Sequence, residues 1–172
     1  MEASYVQAKN QRTVRTFAWI LIAISVLLLL RSIFTLQSIS AIIMMKDLTR
    51  KFNPPVDINY TPYFIEHAIE LLLCIVVFVA ATFVLKFENL WRNVLVFGLT
   101  VSIIFLLISP LVDYYNLAPW DMELMTSIDK KIMNVTKTSM LIWSYTWSMI
   151  FSAFFVVVIV KLTKKEVKTL FA

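Results

Sequence analysis

Apolar residues fall into four long runs separated by shorter polar segments. The runs cover residues 17–45, 62–85, 93–112 and 140–160. Each is long enough to form a helix across the roughly 30 Å hydrocarbon layer of a bilayer. The pattern predicts an all-α membrane protein whose four transmembrane helices form an antiparallel bundle. No repeat or composition break divides the chain, so residues 1–172 are predicted to be a single transmembrane domain.

The first run is the longest and is interrupted only by Arg31. At about 1.5 Å per residue, residues 17–45 make a helix of about 43 Å, which must tilt or project beyond the membrane. A basic flank followed by residues 17–30 resembles a secretory signal peptide. The apolar pattern resumes after Arg31, however, and this favours an uncleaved transmembrane helix.

The connections between the runs differ in character. Residues 86–92 are so few that they predict a helical hairpin between spans two and three. Pro110 predicts a mild kink or an early end for the third span. The stretch from 113 to 138 is too polar to cross a membrane, but Pro119 is a helix-start signal within it. Residues 119–135 are therefore predicted to form a short amphipathic surface helix between spans three and four.

The composition excludes several kinds of site. The 172 residues are 60% apolar and include one Gly, one Cys and one His. A Gly-rich phosphate loop, a GxxxG pairing motif and a CxxC redox pair are thereby ruled out, and a metal site made of several histidines would need a second subunit. We predict no cofactor and no metal, and no catalytic residue is assigned.

Basic residues predict the orientation. The N-terminal segment, the 86–92 turn and the C-terminal tail together hold nine Lys and Arg, whereas the two longer connections hold six that are offset by six acidic residues. Positive charge favours the cytoplasmic side, so both termini are predicted to be cytoplasmic in a plasma or inner membrane. Basic residues that orient the chain in the membrane account for the net charge of +5. The predicted partner is therefore the lipid bilayer, and no nucleic-acid partner is predicted.

Charged residues within the apolar runs mark one candidate site. Glu66, His67 and Glu70 occupy about one third of the circumference of the second predicted helix. Arg31 is expected at nearly the depth of Glu70, and Asp113 follows the third run. An unpaired charge in hydrocarbon costs at least about 2.5 kcal/mol, so we expect Arg31 to pair with Glu70. The hypothesis is an outward-facing polar pocket between helices one and two, with these five residues as the candidate polar cluster.

The cluster has other interpretations. In one interpretation, the only role of Arg31 and its partners is to fix the register of the helices. In another, the Arg31 side chain extends to the outer membrane interface. A ligand, a lipid headgroup or an ion are the functional alternatives, and a metal site would require Asp113 to join Glu66, His67 and Glu70.

Two functions follow from these patterns. The first is a small non-enzymatic accessory or interaction subunit, which associates with another membrane protein or with itself through helix faces. Ser144, Ser148 and Ser152 form a strip of small residues suited to close helix approach. The second is a protein that handles a small ligand, lipid or ion through the Arg31/Glu70 cluster. A membrane enzyme has no positive support, because His67 is the only imidazole and no nucleophile lies beside it in sequence.

Overall fold

The computed structural model of the chain describes residues 2–49, 61–116 and 127–171. All regular structure in these three segments is helical. The elements are α1 (Glu2–Thr49), α2 (Thr61–Val84), α3 (Asn89–Asn116), α4 (Ser127–Thr163) and α5 (Lys165–Lys168), followed by the 3-10 turn Thr169–Phe171.

The four longer helices each contain a segment long and apolar enough to cross a membrane. These segments are Tyr5–Ser38, Phe64–Val84, Asn89–Val112 and Thr138–Thr163. The helical fold predicted from the sequence is therefore confirmed. The presence of four helices that are long and apolar enough to cross a membrane is compatible with a small integral membrane protein.

The helices extend further than the apolar runs alone predict. Helix α1 has 48 residues, or about 72 Å of helix, more than twice the thickness of a hydrocarbon layer. No Pro or Gly occurs in it, so nothing in the local sequence ends the helix where its apolar run begins or stops. Helix α3 also continues through the buried Pro110 to Asn116, so the early end considered for this span does not occur.

The separate surface helix predicted over residues 119–135 is not confirmed. Residues 127–135 belong to the 37-residue helix α4 and run into the fourth span without a break. The physical reason is that residues 127–139 contain no Gly or Pro to end a helix. The first part of the predicted surface helix, residues 119–126, lies outside the described residues.

The helices pack in chain order, α1 on α2, α2 on α3 and α3 on α4. Between α1 and α4 close contact is limited among the described residues, although the Phe17 and Phe154 rings meet with centroids 6.3 Å apart. One hydrophobic cluster joins the start of α1, the end of α2, the start of α3 and the end of α4. We call this region the core end; its buried side chains include Val14, Ala18, Leu21, Val77, Ala80, Ala81, Val84, Leu95, Leu99, Phe155, Val158 and Leu162.

Small side chains explain why the core end is tightly packed. Ala80 and Ala81 are completely buried and Ala18 nearly so, which lets neighbouring helices approach closely. Leu95 and Leu99 fill the remaining space and are themselves almost inaccessible. In a membrane, where lipid is as apolar as leucine, this packing is a main source of helix association.

The C-terminal segment closes the core end. Val167 and Phe171 are buried there, and the Phe171 ring lies 5.5 Å from the ring of Phe87 in the turn between α2 and α3. Phe87 has a φ of 59°, an unfavourable value for a bulky residue. Arg15 and Arg92 each lie over one of the two rings, at 5.6 Å from the centroid. These ring contacts offset the backbone strain.

Leu99→Ala is expected to lower the free energy of unfolding by about 2–5 kcal/mol, because it leaves a void among packed side chains. Leu90→Ala makes the same change in the same helix at a leucine that is 68% exposed, and should cost less than about 0.5 kcal/mol. Both values can be measured by titrating the detergent-solubilised protein with a denaturing detergent and following circular dichroism. Equal losses for the two variants would contradict the location of the core.

Candidate functional site

Next to the core end, the helices surround a cavity of about 550 Å³. All four long helices contribute to its wall, so it is wider than the pocket between two helices expected from the sequence. Its lining residues are Leu28, Arg31, Glu66, His67, Glu70, Leu73, Cys74, Val77, Ser102, Phe105, Leu106, Ser109, Trp143, Ser144, Trp147, Ser148, Phe151 and Phe155. A space of this size is typical of sites for small organic molecules.

The first two turns of α2 supply the acidic part of the wall. Glu66 is only 7% exposed, and its carboxylate accepts a hydrogen bond from the Ser109 hydroxyl of α3. Nδ1 of the next residue, His67, lies 3.0 Å from Oε2 of Glu70, which is one turn further along α2. The side chains of His67 and Glu70 are 13% and 15% exposed, so this part of the cavity is not completely closed.

Arg31 faces these residues from α1 and lines the same cavity. Its side chain is exposed and forms no direct ion pair with Glu70 within the described residues, although the two charges attract one another at longer range. The neighbouring Ser32 is fully buried, and its hydroxyl lies near the Glu70 carboxylate without completing a hydrogen bond. The direct ion pair between Arg31 and Glu70, which their similar depth predicts, is therefore absent from the described residues. Both side chains line the cavity instead.

Ionisable groups are concentrated in one part of the wall. Glu66 and Glu70 bring two carboxylates to it, and Arg31 and His67 bring a guanidinium and an imidazole. Charges act strongly on one another in such a poorly solvated space, so these groups matter for what binds there.

A ladder of aromatic rings on α4 forms the opposite wall. Trp143, Trp147, Phe151 and Phe155 recur every four residues, and successive ring centroids lie 5.6, 6.1 and 6.5 Å apart. All four rings line the cavity, yet Trp143 and Trp147 are 64% and 43% exposed. Two rings of the cavity wall therefore also reach the exterior of the bundle.

Small polar side chains create the space between these walls. Cys74 of α2, Ser102 of α3, and Ser144 and Ser148 of α4 line the cavity, and three of them are buried. The Ser102 hydroxyl donates to the carbonyl of Gly98 in its own helix, at 2.8 Å. The strip of serines on α4 thus faces the interior of the bundle, where Ser152 is also buried.

The structure brings together four of the five residues of the candidate polar cluster, namely Arg31, Glu66, His67 and Glu70. Asp113 belongs to α3, but its side chain is not among those described. No group of three or more His, Cys, Asp or Glu residues in the described segments is arranged to hold a metal ion. That the cluster serves a function stays a prediction.

Sequence reasoning missed the aromatic ladder and the depth of the cavity. The signal was present in residues 143–155, where rings repeat every four positions directly beside the repeating serines. In this structure, both the rings and two of the neighbouring serines, Ser144 and Ser148, line the cavity.

Ser109→Ala is expected to lower the free energy of unfolding by about 1–2 kcal/mol, because Glu66 loses a buried hydrogen-bond donor from another helix. Ser102→Ala removes a hydroxyl that bonds only within its own helix and should cost less than about 0.5 kcal/mol. The two variants can be compared by thermal unfolding in one detergent. If the loss from Ser109→Ala is undiminished when Glu66→Leu, which has no acceptor, is also present, the two residues are not coupled.

No protein-family model, curated protein or solved structure matches the chain. What the protein does must therefore be inferred from its own residues. The feature with the most chemical content in the described segments is the amphipathic cavity, whose wall combines charged groups of α1 and α2 with apolar and aromatic side chains.

Proposed function

We propose that this chain is a non-enzymatic integral membrane protein that binds a small amphiphilic molecule in its cavity. The observation that carries the proposal is the composition of the wall. Arg31, Glu66 and Glu70 offer charge at one end, while Leu73, Val77 and other apolar residues line the rest. A molecule with one polar group and an apolar body matches both parts.

The size and the opening of the cavity support this function. About 550 Å³ is more than a register-fixing ion pair needs, and it lies within the range of small-molecule sites. Trp143 and Trp147 of the cavity wall are exposed, and α1 and α4 make little contact among the described residues. An amphiphile already dissolved in the bilayer has a direct route to the cavity between these helices.

The proposed arrangement in the membrane is an antiparallel bundle with both termini in the cytoplasm. The core end supports it, since residues from the beginning of α1 and α3 cluster with residues from the end of α2 and α4. The exposed Lys161, Lys164, Lys165 and Lys168 follow the last span, as expected of a cytoplasmic end. The polar part of the cavity would then lie in the outer leaflet of a plasma or inner membrane.

An accessory subunit that acts through helix faces is the second candidate. Its support was the serine strip of α4, but Ser148 and Ser152 are buried within this bundle and Ser144 lines the cavity. The strip consequently faces the interior of this bundle and its cavity. Association with another membrane protein or with a second copy stays a prediction from the sequence.

The membrane arrangement predicts the behaviour of fusion proteins. Green fluorescent protein attached to either terminus should fluoresce, and alkaline phosphatase attached to either terminus should be inactive, because both ends are expected in the cytoplasm. Phosphatase inserted in the connection after span one or span three should be active. An active phosphatase at the C-terminus would contradict the proposed orientation without affecting the cavity.

Cys74 provides a native reporter of access to the cavity, being the only cysteine of the chain and part of the cavity wall. The small neutral reagent methyl methanethiosulfonate is expected to modify Cys74 in the folded protein, as measured by intact mass. Ser148→Trp should slow this reaction at least about ten-fold, because the indole fills space that the reagent must cross.

The matched control is Ser139→Trp, which places the same ring on an exposed position of the same helix. It should leave the rate unchanged within about two-fold, and both variants must show an ordinary unfolding transition. A second reporter, Ser144→Cys combined with Cys74→Ser, tests whether thiol chemistry alone limits the rate. If neither reporter reacts in folded protein, the cavity is closed and the proposed function is wrong.

A further inference from the structure

We infer that the ligand of the cavity is an amphiphile with a single linear hydrocarbon chain, which lies along the helices with its polar end at the level of Glu66. This inference rests on the proposed function, because it identifies the shape of the molecule that the same cavity accepts. Three features of the cavity lead to it: its length, its width and the difference between its two ends.

The cavity is long in the direction of the helices. Its lining residues run from Glu66 to Val77 on α2 and from Trp143 to Phe155 on α4. Eleven and twelve residue steps of helix correspond to about 17 and about 18 Å. With C–C bonds of about 1.5 Å, each methylene of an extended chain adds about 1.3 Å, so about 13 methylenes match this length.

The cavity is narrow across the helices. A volume of about 550 Å³ over a length of about 17 Å leaves a mean cross-section of roughly 30 Å². Carbon atoms of neighbouring groups stay about 4 Å apart, so one extended chain needs about 20 Å² and two chains side by side need about 40 Å². The cavity therefore fits one chain, and a straight chain contacts the rings of the α4 ladder in succession.

Polarity changes along the cavity. On α2 the ionisable Glu66, His67 and Glu70 come first among the lining residues, and Val77 comes last. Glu66 lies only two residues inside the candidate span Phe64–Val84, so the polar part of the cavity lies near one membrane surface. A lipid of that leaflet already has its polar end at this depth and its chain directed toward the membrane centre. It can enter the cavity without turning over.

The apolar end of the cavity is closed. Val77 and Phe155 line this end and also belong to the buried cluster of the core end. Beyond them along the same two helices, Ala80 and Val158 are completely inaccessible. A chain cannot extend past this point, so the cavity limits the length of the ligand.

The first test compares 1-dodecanol with cyclododecanol, two uncharged alcohols with the same number of carbon atoms and different shapes. Each is added to the folded protein in nanodiscs of a diacyl phosphatidylcholine, and the rate at which methyl methanethiosulfonate modifies Cys74 is measured. Dodecanol is expected to protect Cys74 at a bilayer mole fraction at least about ten-fold lower than cyclododecanol, a difference of about 1.4 kcal/mol. Because the two are compared at known content in the bilayer, their partition into lipid does not contribute.

A series of linear alcohols tests the closed end. Cys74 lies eight residues beyond Glu66, or about 12 Å along the cavity, so its protection reports the chain and not the hydroxyl group. From decanol to tetradecanol, protection should strengthen at least about five-fold, because each added methylene gains contacts with the wall. From tetradecanol to octadecanol it should strengthen less than about two-fold, since the added methylenes find no further space.

Two variants should move this limit in opposite directions. Ser102 lines the cavity seven residues away from Ser109, which bonds Glu66 at the polar end. Ser102→Leu fills space toward the closed end and should shift the limit to shorter chains, whereas Phe155→Val removes the ring at that end and should shift it to longer ones. Thr100→Leu, at an exposed position of the helix that carries Ser102, should leave the limit unchanged.

The possible outcomes are distinct. Selective protection by linear alcohols, with a length limit that moves in the variants, supports the inference. Equal protection by dodecanol and cyclododecanol, protection that keeps strengthening up to octadecanol, a limit that neither variant moves, or no protection while Cys74 is still modified overturns the single-chain ligand but not the accessible cavity. If one variant fails to fold or leaves Cys74 unreactive, the other still tests the limit. If methyl methanethiosulfonate modifies neither Cys74 nor the Ser144→Cys reporter, the proposed function itself fails, and the ligand inference fails with it.

Discussion

The arrangement of this protein depends on the cost of placing ionised carboxylates among apolar helices. Hydrocarbon cannot solvate Glu66 or Glu70, so the surrounding side chains or water must do so. The structure meets this need in part with side chains, through Ser109 and His67, and in part with a cavity that is large enough to hold water beside the carboxylates. A tightly packed bundle would have had to pair every charge directly, and the cavity is the alternative to such pairing.

Residue size decides where the bundle is tight and where it is open. At the core end, Ala18, Ala80 and Ala81 allow the helices to meet with almost no exposed surface. Around the cavity, bulky rings such as Trp143 and Trp147 alternate with small side chains such as Ser144 and Ser148 on one helix. Large rings prevent close approach, and adjacent small residues leave the resulting gap unfilled. The same four helices therefore give a solid region and a hollow region without any break in secondary structure.

The sequence was sufficient to predict the helical class and the number of spans, because runs of apolar residues of bilayer length have few other structures available. It also indicated which of Arg31, Glu66, His67 and Glu70 share a helix face. It could not give the lateral distance between helices, which depends on how rings and small residues from different helices interlock. For this reason an Arg31–Glu70 contact was expected where the structure has an open space.

Helix ends were harder to predict for a related reason. Hydropathy indicates which residues can lie in lipid. Helical hydrogen bonds, in contrast, continue until a helix-breaking residue or a capping interaction ends the helix. The continuation of α4 back to Ser127, through Thr136 and Lys137, follows from the absence of any breaking residue. The prediction of a separate surface helix rests on a change in polarity. Polarity indicates whether a segment lies in lipid or in water, but it does not indicate where the helical backbone ends.

The closed core end has a consequence for the open cavity. Regions of a protein that admit other molecules are drawn from its less stable parts, and they remain folded only if other regions hold the structure together. Here the C-terminal segment returns to the bundle, and the Phe171 ring packs on Phe87 beside Arg15 and Arg92. These contacts tie α1, the α2–α3 turn and the end of the chain at one point. With the helices joined there, α1 and α4 can stay apart beside the cavity without separating the bundle, and a route for a ligand is compatible with a stable fold.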